Sequence, residues 1–350
     1  MDRKLKVNLN IASIAVLAFF LWLAKHNLGG YPLQILNLIA INAILALSLN
    51  LIYGFTGMFS LGHAGFMAIG AYVCSILIMT PAQKETLFIL QRAFPWVESA
   101  SAPFFVAVIA GGLAATLMGI LVGIPLLRLG DDYLGIATLG FAEIVRVLAN
   151  NLPRITNGAL GFKGIPDYAN IWWNYGCCVV TLYCIVRLIR SNFGNTLMAI
   201  RDDETAAKAM GINIFKYKLL SFSIGSFFAG IAGALLASLL TTIDPKMFLF
   251  TITFNILMIV VTGGLGSLTG SVLASIAITI LMEWLRFVEN PISFGDFEIK
   301  GIPGMRMVVF SLSLLFIILF RREGLMGMRE FSWEWFFGLF GKRGKVKHAA

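Results

Sequence analysis

The sequence predicts an all-α polytopic membrane protein of about ten transmembrane helices, and three observations carry that expectation. The 350-residue chain is 58% hydrophobic and only 13% charged, with 29 Phe and a mean hydropathy of +0.85, more apolar side chain than one globular core hides. Apolar runs of about 18 residues or more, enough to cross roughly 30 Å of hydrocarbon, recur along its length. Lys and Arg are divided unevenly between the connecting segments.

In chain order the runs fall near residues 7–25, 33–53, 56–79, 104–127, 133–152, 171–189, 219–241, 247–262, 264–287 and 304–320. The first follows "MDRKLK", a start like that of a signal peptide, but "LAKHNLGG" after it has no small-x-small cleavage pattern, so a retained helix is expected. The stretch "GFTGMFSLGHAGFMAIGAY" is Gly-rich, which weakens a helix in water but permits close backbone approach, or an unwound segment facing a cavity, within a membrane. It therefore reads as a broken or re-entrant segment.

Orientation follows from the cations. With the N-terminus inside, ten alternating spans put Arg3, Lys4, Lys6, Arg128, Arg187, Arg190, Arg201, Lys208, Lys216, Lys218 and the basic end of the chain on the cytoplasmic side. Scattered cations such as Lys25, Lys84, Arg92, Arg154, Lys163, Lys246 and Lys300 remain outside. The net charge of +9 is thus a topology signal. It does not predict a nucleic-acid partner, because the basic residues form no stripe interleaved with aromatics. Residues 1–320 then form one membrane domain with a cytoplasmic loop at 190–217, and 321–350 a basic cytoplasmic tail.

One short stretch is out of character. "RDDETAAKAMG", 201–211, is polar, with Asp202, Asp203 and Glu204 suited to a helix start, good helix formers after them, and Gly211 to end it. A helix of about two turns, roughly 12 Å, cannot span a bilayer and is marginal in water unless it packs on something. Ala206 and Ala207 allow close approach, and Arg201, Asp202, Asp203, Glu204 and Lys208 offer charge pairing. A docking knob and an ordinary helical loop both fit these residues.

Other polar residues divide similarly. Ser60 and His63 lie in the Gly-rich stretch with Gly57, Gly62 and Gly65, and an ionisable group at membrane depth is a candidate for the substrate pathway, with helix packing as the alternative. Glu143 with Arg146 and Glu283 with Arg286 are i,i+3 pairs, read as structural ion pairs rather than a clamp on a zwitterion. No metal site is expected: Cys74, Cys177, Cys178 and Cys184 have neither CxxC spacing nor a nearby His. No G-x-x-x-x-G-K-[ST] occurs, so no ATP site of its own and no enzymatic activity are expected.

Three stretches together resemble a known family. "AIRDDETAAKAMGINIFKYKLLSF" is similar to the cytoplasmic coupling loop of bacterial ABC importer permeases, with Glu204, Ala206 or Ala207, and Gly211 matching its pattern. "NLIYGFTGMFSLGHAGFMAIGAY" (50–72) and "VTGGLGSLTGSVLAS" (261–275) resemble signatures of the branched-chain amino acid permeases of the LivM type, and the similarity runs over about 33–320. There are departures: in "TNGALGFKGIP" Asn157 stands for a Gly and Leu160 for a polar residue, and Ser271 and Ala274 stand where Pro and Gly are usual.

The resemblance implies a permease subunit of an ATP-driven importer in a bacterial or archaeal cytoplasmic membrane; the cation asymmetry puts both its termini inside. The resemblance also implies a homologous second permease, two ATP-binding subunits holding ATP and Mg, and an external substrate-binding protein as partners. It leaves open relatives that carry urea or short amides. A stand-alone secondary transporter or channel for small polar solutes is the reading from another class; it calls for intramembrane carboxylates, and Glu143 and Glu283 each have an Arg beside them.

Overall fold

A computed structural model describes residues 3–88, 91–128 and 131–286, and scattered positions between 292 and 330. The expected span at 304–320 lies largely, and the tail beyond 330 wholly, outside the described residues. In chain order the helices are α1 (Arg3–Asn27), α2 (Gly30–Asn50), α3 (His63–Ile78), α4 (Pro81–Leu87), α5 (Pro95–Ser99), α6 (Phe104–Leu126) and α7 (Asp131–Asn151). They continue as α8 (Pro153–Thr156), α9 (Ile171–Ile189), α10 (Asn192–Asp202), α11 (Glu204–Ala209), α12 (Ile214–Leu240), α13 (Phe250–Gly263) and α14 (Leu268–Trp284).

Among the described residues five helices are long and apolar enough to cross a membrane: 30–55, 104–126, 133–151, 171–189 and 214–240. A sixth is added if α3 and α4, bent by 117° at Thr80, count as one. The bend has a local cause. Thr80 caps α4 through a reciprocal pair of bonds with Gln83, and Pro81 occupies the first helical position. Helices α13 and α14 are apolar but shorter. The fold class is therefore an all-α multi-pass membrane protein.

Helix α12 is the centre, packed on α6, α3 and α2. Its start is capped by Asn213, whose Oδ1 accepts from the Lys216 amide at 3.1 Å, and it ends at Thr241 in the left-handed region. Its contacts with α3 and α6 are backbone against backbone. A Cβ on Gly70 would lie 2.5 Å from Gly230 Cα, and one on Gly230 would lie 2.9 Å from Gly111 O and 3.1 Å from Gly112 Cα. Small residues replace the leucine layer of a soluble bundle here, because between lipid-solvated helices close van der Waals contact is what holds the pair.

The two ends of the bundle differ. At one end a two-stranded pair, β1 (Phe162–Lys163) with β2 (Thr242–Ile243), packs with α4, α5 and α8 into a small cap. The buried Lys84 ties α4 to the α5 region, its Nζ donating to Val97 O at 2.8 Å and to Ala100 O. Burial lowers its pKa. Asn157 lies in this cap at φ 59°, ψ 14°, a conformation Asn tolerates better than other side-chain-bearing residues. That accounts for Asn standing where a Gly is usual.

At the other end the turn between α13 and α14 is held from outside. Leu325 N donates to Thr262 O at 2.7 Å and Met326 N to Gly263 O at 3.2 Å. Glu330 accepts from the amides of Leu268 (2.6 Å) and Thr269 (3.2 Å) and from Thr269 Oγ1 (2.9 Å). A carboxylate bonded to the first amides of a helix is favoured by its dipole. Glu330→Ala is expected to remove about 1 kcal/mol locally, so hydrogen exchange at the Leu268 and Thr269 amides should quicken roughly fivefold. Unchanged exchange there would show that Ser267, which also caps α14, suffices alone.

Candidate functional site: a junction of three stretches

The Gly-rich stretch is broken. Helix α2 runs into a π-helical turn, Leu51–Phe55, and the chain is not helical again until His63. The apolar run at 56–79, expected to be broken by its glycines, is a non-helical segment 56–62 followed by α3. Gly57, at φ 81°, is what lets the chain turn there, since a side chain strains that conformation. Thr56 Oγ1 bonds Leu51 O at 2.9 Å and lies 2.6 Å from Ser221 Oγ, fastening the turn to α12.

The broken segment is seated by its neighbours. Leu61 N donates to Thr138 Oγ1 at 2.9 Å, Gly62 and Gly65 lie against Thr138 and Phe141–Ala142 of α7, and Ala64 N donates to Thr253 Oγ1 at 3.0 Å. Ser60 Oγ accepts a long bond, 3.4 Å, from Gly62 N. His63 is fully buried at the first turn of α3, with Nε2 3.2 Å from Ser48 Oγ and no protein partner for Nδ1 among the described residues.

The polar stretch 201–211 is not one helix. Arg201 and Asp202 complete α10, whose last turn carries them; Asp203 is extended at φ −159° and caps α11, accepting from Thr205 N (2.8 Å) and Ala206 N (3.0 Å). Of the two expected capping residues Asp203 is the one that caps the short helix, while Arg201 and Asp202, expected to belong to it, are the end of the preceding helix. Ala207 is buried while Ala206 and Gly211 are exposed, Gly211 at φ 81°. Glu204 forms an ion pair with Lys218, which joins α11 to the base of α12.

Arg201 brings the stretches together. Its Nη1 donates to Gly54 O at 3.0 Å, and its Nε and Nη2 bond Asp202 Oδ1 at 3.0 and 2.8 Å. On the far side of Gly54 lies the α13–α14 turn. Asn50 Oδ1 accepts from Gly266 N at 3.0 Å, and its Nδ2 donates to Ser267 O and Ser271 Oγ, both at 2.8 Å. Residues 50–72, 201–211 and 261–275 therefore meet at one junction. Asn50 and Gly54, which connect the three, carry no charge, and the sequence marks them only as members of the stretch 50–72.

The two i,i+3 pairs lie apart from this junction. Arg146 Nε is 2.7 Å from Glu143 Oε2 on α7, and Arg286 Nη1 is 3.2 Å from Glu283 Oε1 on α14, where Tyr31 of α2 bonds the same carboxylate. Both are partly exposed. Among the described residues no group of three His, Cys, Asp or Glu side chains is placed to hold a metal, and the four cysteines are free thiols.

Fold and junction define a multi-pass membrane protein, with a seam of glycines in its core and a short polar helix at one end. Residues 31–319 match the family described as the permease component of branched-chain amino acid transport systems, and the chain belongs to that family. It is 30% identical to the high-affinity branched-chain amino acid transport system permease protein LivM of Escherichia coli K12, over 92% of this chain and 76% of that protein. It is 22% identical to the LivH permease protein of Salmonella typhimurium LT2, over 82% of this chain and 92% of that protein. It is 27% identical to the L-arabinose transport system permease protein AraH of Escherichia coli K12, over 50% of this chain and 57% of that protein. No solved structure matches it.

Proposed function

We propose that this chain is the LivM-type transmembrane subunit of an ATP-driven importer of branched-chain amino acids in a prokaryotic inner membrane. Its partners are a LivH-like second permease, two ATP-binding subunits and an external binding protein. The observation that carries the reading is the capped polar helix α11, exposed on one side and bonded through Glu204 and Lys218 to the central helix α12. A membrane chain without its own phosphate loop needs such a handle for a separate motor. ATP and Mg are held by the motor subunits, and this chain binds no cofactor.

In this reading ten spans cross the membrane: α1, α2, α3, α6, α7, α9, α12, α13, α14 and the run at 304–320. The α11 end then faces the cytoplasm with both termini, and the cap built on β1 and β2 faces the binding protein. Substrate passes the break at Gly57, Ser60, Gly62, His63 and Gly65, where the chain leaves its helix and the unpartnered His63 nitrogen sits at the start of α3. The AraH similarity supports a shared scaffold with cargo chosen elsewhere, so selectivity among amino acids is assigned largely to the binding protein. Motor closure moves α11, and the membrane helices alternate access.

The test is a pull-down of tagged protein from detergent extract, wild type beside Glu204→Lys, with mass identification of copurifying chains. A phosphate-loop ATPase recovered with wild type and lost with the variant is expected. An abundant wild-type chain that purifies with no ATPase would overturn the reading in favour of a stand-alone transporter.

A further inference from the structure

We propose that Arg201 is the positioning residue through which movement of the α10–α11 handle reaches the broken segment 56–62. The inference rests on the coupling role assigned to α11 and adds the link by which that role reaches the substrate path.

Gly54 O lies at the end of a helix, where carbonyls lack partners from the next turn. The amides that follow do not supply one: Gly57 N bonds Tyr53 O at 3.1 Å and Met58 N bonds Ile52 O at 3.1 Å. Arg201 Nη1 supplies a donor at 3.0 Å, and a cation at a helix C-terminus is favoured by the dipole as well. A charge-assisted bond of this kind is stronger than a neutral one.

The side chain is also held sideways. A Cβ on Gly57 would sit 3.0 Å from Arg201 Cγ, and one on Gly266 would sit 3.3 Å from Nη1. Both glycines have φ 81°. The arginine therefore runs in a slot between the broken segment and the α13–α14 turn, with Asp202 fixing the guanidinium plane from its own helix. A side chain gripped on both flanks transmits displacement as a rod does. A loosely solvated cation at the same position would bend and let the two segments part. Lys218 and Glu204 bind the handle to α12 by a separate contact, so loss of Arg201 leaves α11 attached while disconnecting it from Gly54.

The experiment uses the full complex, purified with its copurifying ATPase and binding protein and reconstituted in liposomes, with leucine as the probe. Arg201→Met is expected to retain the ATPase in the pull-down and its basal hydrolysis. Stimulation by leucine-loaded binding protein should fall close to onefold and uptake at least about tenfold, the scale of one charge-assisted bond lost from a moving step. Arg201→Lys, which keeps the charge and N–H donors but not the planar fork that reaches Gly54 O and Asp202 together, should recover part of both. Gly57→Ala keeps the charge but pushes against Cγ, and should uncouple in the same direction.

Normal stimulation and uptake in Arg201→Met would overturn the proposal. So would loss of the ATPase from the complex, which would make Arg201 part of the docking surface instead. If Arg201→Met does not accumulate, Gly57→Ala and Arg201→Lys are read in its place, and wild-type coupling in both would overturn it equally. A wild-type chain that brings no ATPase fails earlier, at the reading on which the proposal rests.

Discussion

Gly70→Val is expected to cost about 3 kcal/mol or more, at the upper end of what overpacking costs in a close-packed interior. The reason is what the new side chain meets. A Cβ at Gly70 would fall 2.5 Å from Gly230 Cα and 2.6 Å from Gly230 C, and these are backbone atoms that no rotamer change can move aside. Gly111 approaches Gly70 from α6, so displacing α3 from α12 also strains the α3–α6 contact. All three helices would have to separate by roughly the width of a methyl group, and the dispersion contacts along the seam fall off steeply over that distance. The check is the melting temperature of the detergent-solubilised protein, beside Gly176→Val. Gly176 is an exposed position of α9 where a Cβ would have nothing within 4 Å, and its substitution should leave the melt near wild type. Equal melts for the two variants would refute the view that backbone contact at this seam organises the bundle.

Much of this architecture is legible in the sequence because hydropathy reads burial and length. The apolar runs at 104–127, 133–152 and 171–189 lie within two residues of α6, α7 and α9 at either end. Hydropathy places the start of α12 five residues late, since Lys216 and Lys218 look like loop cations. Lys218 is instead buried against α11 and pairs with Glu204. The break at 56–62 is legible as a surplus of glycine, while its bounds depend on a positive φ at Gly57 that hydropathy does not register. The split at Asp203 is hidden because the same Asp that starts α11 follows a helical turn that composition presents as one polar run.

The junction is the part that no local pattern contains. Stretches 50–72, 201–211 and 261–275 stand out separately by their glycines and charges, but their meeting is a tertiary fact. Apart from the Arg201 guanidinium, it is carried by uncharged groups: the amide of Asn50, the carbonyl of Gly54 and the peptide of Gly266. Asn50 lies at the end of an apolar helix and looks there like an ordinary terminal polar residue. Only the neighbouring turn shows why an amide, with two donors and an acceptor on one plane, is the side chain that fits.

Asn50→Leu is accordingly expected to be as damaging as the glycine substitution. Asn50 is fully buried, and replacing its amide leaves the Gly266 N–H without its acceptor and withdraws a donor from both Ser267 O and Ser271 Oγ. An unsatisfied buried polar group costs about 1–3 kcal/mol, and the Gly266 amide has no water-accessible route around a close glycine contact: a Cβ on Gly54 would lie 2.5 Å from Gly266 N. The serines are less dependent, because Ser271 Oγ still donates to Ser267 O at 3.0 Å. The sum is a loss of about 3–5 kcal/mol, concentrated at the α13–α14 turn. A double-mutant cycle isolates the contact: Asn50→Ala and Ser271→Ala, singly and together, followed by the thermal melt. The single serine change should cost about 1 kcal/mol, and the pair should cost less than the sum of the two, because the second change removes a partner that the first has already lost. Strict additivity would mean that Asn50 and Ser271 do not act on one another, and the junction would then be held chiefly by the backbone of the turn.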